Sequence, residues 1–179
     1  MALDTTVGAS TADSMVTLAE ANAYLETFFE GDAGLSQWQD LETSMQEEML
    51  RMAASFFSFL PLRGDKVYLA TDTTSEQSMP FPRTIQTDTT IIPPEVRYCQ
   101  AEVAFCVIFR TFLSRASITD GAATMAQVKK LGLGGLLSIE FSPSGETSGS
   151  IMEQFTRGIT SLTWLRISKY ITQIRGGYI

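Results

Sequence analysis

Seven consecutive apolar residues, Val103 to Phe109, follow a proline-opened helix start, and no other feature restricts the fold as tightly. Pro93-Pro94 can open a helix at its first turn, where a missing N–H costs nothing. The spacing predicts a helix from Pro94 to about Ser117. Glu95, Arg97, Gln100 and Glu102 keep its first half polar. Its second half is apolar nearly all round, on through Phe112 and Leu113, and a helix of that kind must be surrounded. In a chain of 179 residues, part of that surround is expected to be another copy, so Val103, Cys106, Phe109 and Phe112 are candidate subunit-interface residues. The run is far shorter than a membrane span requires.

Two earlier segments carry helical signals. Thr17 reads as an N-cap with Glu20 three residues on, a capping box. Leu18, Ala21, Leu25, Phe28 and Phe29 follow at helical spacing. A single long helix is expected from about Ser36 to Leu60, because Trp38, Leu41, Met45, Met49, Met52, Phe56 and Leu60 form one apolar stripe; Pro61 ends it. Four of the six prolines fall between Met79 and Val96. Proline fixes φ, removes a donor and pushes its predecessor extended, so this stretch reads as a stiff connector. Arg83, held in direction by Pro82, is expected to donate to a carboxylate or backbone carbonyl of its own chain or the next, and is also a candidate interface residue.

The remaining segments are looser. Residues 1–15 are small and polar and read as a flexible arm, and 63–78 as an exposed loop. Gly134-Gly135 between β-capable runs predicts a hairpin over about 127–142. A final helix is expected over about 150–171, followed by a tail. The fold class is thus mainly α: a small bundle of about four helices with one β-hairpin, an extended N-terminal arm and a C-terminal tail. Residues 16–179 form one domain.

Composition removes much of the available chemistry. The chain has no histidine, hence neither the commonest general base nor the commonest metal ligand. Cys99 and Cys106 lie about 10 Å apart along one helix, too far for a disulfide, and read as buried thiols. The acidic residues share no metal-loop spacing. No catalytic, cofactor-binding or metal site is expected. Net charge is −7, and the 13 basic residues are scattered among 20 acidic ones without a basic stripe. The N-terminus lacks the charged and apolar regions of a signal peptide, so a soluble chain made in the cytoplasm is expected.

The order of motifs is more informative than any one of them. Leu18, Ala19, Glu20, Ala21, Ala23 and Tyr24 open the domain. Pro82, Arg83 and Thr84 follow in a loop, with Phe81 before them. Ile92, Pro93, Glu95, Val96, Ala101, Glu102 and Ala104 start a helix. This order resembles the head–tail connector, or neck adaptor, proteins of tailed bacteriophages, and most closely the group labelled DnaT-like single-strand DNA-binding proteins. The connector resemblance implies a structural virion protein at the neck. It would form a ring of copies, twelve-fold, below the portal protein and join it to the next neck, stopper or tail protein. The double-stranded genome would pass through its lumen without sequence-specific contact. On that reading Arg175, Tyr178, Ile179, Lys129 and Lys130 would dock on the portal or another partner. The alternative carried by the group label is a single-stranded DNA-binding replication accessory, which needs a positive groove with aromatic stacking platforms.

Overall fold

The computed structural model describes residues 2–67, 76–110 and 161–172. Among them are five α-helices: α1 (Leu18–Phe28), α2 (Ala33–Gln39), α3 (Thr43–Phe57), α4 (Pro94–Glu102) and α5 (Ser161–Ser168). A π-helical segment, Val103–Phe109, continues α4. The chain is mainly helical, as expected. Strand pairing among the described residues is limited to two isolated bridges, Leu62 with Ile171 and Lys66 with Arg83. The hairpin expected at 127–142 lies outside the described residues, as do Phe112, Lys129, Lys130, Arg175, Tyr178, Ile179 and the start of the final helix.

α1 begins as its sequence dictates. The Thr17 side chain accepts from the Glu20 N–H, and the Glu20 carboxylate accepts from the Thr17 N–H, satisfying two donors that a helix start leaves open. The long second helix is corrected to two. α2 stops at Asp40, the chain extends at Glu42, and α3 starts afresh. The stripe survives the break because Trp38, Met45, Met49 and Phe56 all reach the core. Gln46 of α3 donates to the Trp38 carbonyl at 2.7 Å, which ties α3 to the end of α2.

α4 is the centre of the fold, packing against α1, α3, α5 and its own π-helical continuation. In that continuation the Phe105 and Phe109 rings stack at 5.8 Å, and both meet Trp38 edge-on. Val103, Phe105 and Phe109 are fully buried by their own chain, while Cys106 is half-buried. The expectation that a second copy must cover this run is therefore corrected. α3 packs along it, and Trp38 of α2 and Phe29, just past the end of α1, meet its aromatic rings.

Two polar side chains of α4 are also buried. Gln100 accepts from the Met15 N–H at 2.9 Å and donates to Ser14 Oγ and the Leu50 carbonyl, both at 2.8 Å. Glu102 Oε1 accepts from the Tyr24 hydroxyl at 2.5 Å and the Thr163 hydroxyl at 2.6 Å. Buried polar groups need such partners, and here they tie α4 to α1, α3, α5 and the N-terminal segment. That segment, read from composition as a free arm, is folded on itself. The Asp4 N–H donates to the Asp13 carboxylate, the Asp13 N–H to the Asp4 carbonyl, and Arg51 Nε to Asp13 at 2.6 Å. Ala12, Ser14 and Met15 are buried.

Candidate functional site

The proline-rich connector is held by its arginine. Arg83 donates to the backbone carbonyls of Arg63, Pro80, Leu62 and Gly64. The expected carbonyl contact is thus intrachain, and one guanidinium fork closes the 62–64 turn onto the connector. Gly64 is required there. Its φ is +69°, and an added Cβ would lie 2.6 Å from Ile85 Cγ2.

That turn brings Arg63 to the end of α5. The Arg63 N–H donates to the Tyr170 carbonyl at 2.7 Å, and the Thr172 N–H to the Pro61 carbonyl at 2.6 Å. Arg63 Nη1 reaches the Lys169 carbonyl at 3.3 Å. On the other side, Gln86 donates to the Asp88 and Ile91 carbonyls and closes the 86–91 loop. Between these walls lies an open cleft of about 460 Å3, within the size range of small-ligand sites. Arg63 and Lys169 supply positive charge, and Ile85 and Ile91 supply exposed apolar surface; Tyr170, Asp88 and Glu95 are also part of the lining.

Glu95, in the first turn of α4, organises the floor of the cleft. Its Oε1 lies 2.6 Å from Lys169 Nζ and accepts from the Tyr170 hydroxyl at 2.9 Å. Burial pushes the Glu95 carboxyl up, but hydrogen bonds from Lys169, its own N–H and Tyr170 outweigh it and hold the group below its ordinary value. The bond to Glu95 raises Lys169. The Lys169 ammonium also sits 4.9 Å from the Tyr170 ring centroid, and that ring meets Phe81 edge-on. The arrangement offers two cations, apolar walls and a rigid aromatic edge. It contains no nucleophile–base pair, and no group of three or more metal-ligating side chains occurs among the described residues.

The thiols behave as buried hydrophobes. Burial drives Cys99 well up, and Cys106 is pushed up to about 12, chiefly by burial. Sequence reasoning singled out Arg83, Val103, Cys106 and Phe109; the structure places all four in packing or loop closure within one chain. It missed Arg63, Lys169 and Tyr170 as a group. The adjacent Lys169-Tyr170 pair and the Arg63 that follows Pro61 are the only local signals, and nothing in the sequence pairs them.

A family model described as "Putative DnaT-like ssDNA binding protein" matches residues 1–165. No curated protein and no solved structure matches. The family match corrects the neck-adaptor expectation, with its portal-bound dodecameric ring, its stopper or tail partners and its passively threaded duplex. What it supports is the alternative carried by the group label. Val103 and Phe109, buried by their own chain, need no second copy to cover them.

Proposed function

Because this chain belongs to the family of putative DnaT-like ssDNA-binding proteins, we propose that it binds single-stranded DNA at the Arg63–Lys169 cleft, by contact alone and without catalysis. The observation that carries this reading is the convergence of two cations and exposed Ile85 and Ile91 around Tyr170. Cations track a phosphate backbone, and apolar or aromatic surface accepts unpaired bases without regard to their identity. Net charge argues only about the chain as a whole; the cleft brings Arg63 and Lys169 together. The facing Asp88 and Glu95 limit the attraction, so binding is weak and sensitive to salt.

Fluorescence anisotropy with a labelled thymidylate oligomer, repeated across salt concentrations, tests this. Two phosphate contacts give a log–log slope of about −1.4 for a single strand. The Arg63→Ala, Lys169→Ala double variant should abolish most of that slope. Absence of binding at low salt, or binding indifferent to salt, overturns the reading.

A further inference from the structure

Resting on that single-strand reading, we infer that the strand leaves the cleft along α5, past Arg166, and stacks a base on the exposed ring of Phe28. α5 runs antiparallel to α4: Lys169 meets Glu95 at one end, and Thr163 meets Glu102 at the other. Arg166 lies between them, three residues from Lys169, about 4.5 Å along the axis and roughly one turn away. The Tyr24 hydroxyl lies 3.4 Å from Thr163 Oγ1, and Arg166 stands three residues beyond Thr163, a spacing that keeps the two on neighbouring positions of the helix surface. From the cleft, where Arg63 meets the Lys169 carbonyl, α5 thus leads back through Arg166 to Thr163 and the ring stack at Tyr24.

The stack is three rings deep. Tyr98 of α4 stacks on Tyr24 at 4.4 Å with 6° between the planes, and Phe28 packs on Tyr24 at 4.5 Å and 32°. Tyr24 is fixed by the hydroxyl bond to buried Glu102, so the stack cannot swing. Phe28, the last residue of α1, is 51 % exposed. A lone exposed phenylalanine is ordinary. One that is backed by an anchored stack and reached along α5 from the cleft has the composition of a base-stacking platform.

Thymidylate oligomers of about four and about twelve nucleotides, carrying 2-aminopurine at one end, separate the two contacts. Phe28→Leu keeps apolar bulk and helix propensity and removes only the ring. It should weaken the longer oligomer about tenfold, leave the shorter one unchanged, and abolish the 2-aminopurine quenching seen with the longer one. If Phe28→Leu binds and quenches the longer oligomer like the parent chain, the platform is overturned and the cleft reading stands. If the parent chain binds neither oligomer, the cleft reading fails and the platform with it.

Discussion

A single carboxylate oxygen of Glu95 serves both the Lys169 ammonium, at 2.6 Å, and the Tyr170 hydroxyl, at 2.9 Å. The same contact joins the first turn of α4 to the end of α5 and occupies the lysine that a phosphate would use. Folding and ligand binding therefore compete for one cation, and the variants below pull the two apart.

Glu95→Gln removes a negative charge beside the proposed phosphate position. At contact distance in water such a charge is worth about 1 kcal/mol, so oligonucleotide affinity should rise about fivefold. Lys169 is largely exposed, and stability should fall by less than about 1 kcal/mol. Because the Glu95 carboxyl is held below its ordinary value of 4.5, its stabilising contribution is present above that value and is lost as pH falls through the lower folded one. Acid titration of stability should show this step in the parent chain and not in the glutamine variant.

Tyr24→Phe keeps the ring stack and deletes one donor to Glu102. Loss of a hydrogen bond to a buried acceptor should cost about 1–3 kcal/mol, read as a lower urea midpoint at unchanged slope. An unaltered midpoint would mean that the hydroxyl adds nothing to the core.

Gln100→Leu removes the side chain that accepts from Met15 and donates to Ser14 and Leu50. The N-terminal segment should then lose protection. Amide hydrogen exchange at Met15 should accelerate far more than exchange at Ala53 in the middle of α3. Equal acceleration at both sites would point to global destabilisation rather than release of the segment.

Arg83→Lys retains charge but not the fork that spans the carbonyls of Arg63, Pro80 and Gly64. It should destabilise by about 1–3 kcal/mol and weaken oligonucleotide binding, since Arg63 sits on the released turn. Wild-type stability and binding in the lysine variant would show that charge alone suffices.

Local rules made much of the helical skeleton readable in advance. Thr17 and Glu20 announced α1, Pro93-Pro94 announced α4, and the Trp38–Phe56 stripe announced a buried face. Periodicity could not reveal the break at Asp40–Glu42, because a short interruption leaves the apolar face in register. It also misjudged Val103–Phe109, since the partners that cover the run depend on how distant helices fold back. The cleft was illegible for the same reason. Arg63 and Lys169 are 106 positions apart, and they meet through the Leu62–Ile171 bridge and the Arg63 bond to the Lys169 carbonyl.

Backbone amide shifts recorded while a thymidylate oligomer is titrated into labelled protein would locate any bound strand directly. Perturbations should concentrate at Arg63, Glu95, Lys169 and Tyr170, and vanish in high salt. Shifts confined to other surfaces, or none at all at low salt, would contradict a single-strand site in this cleft.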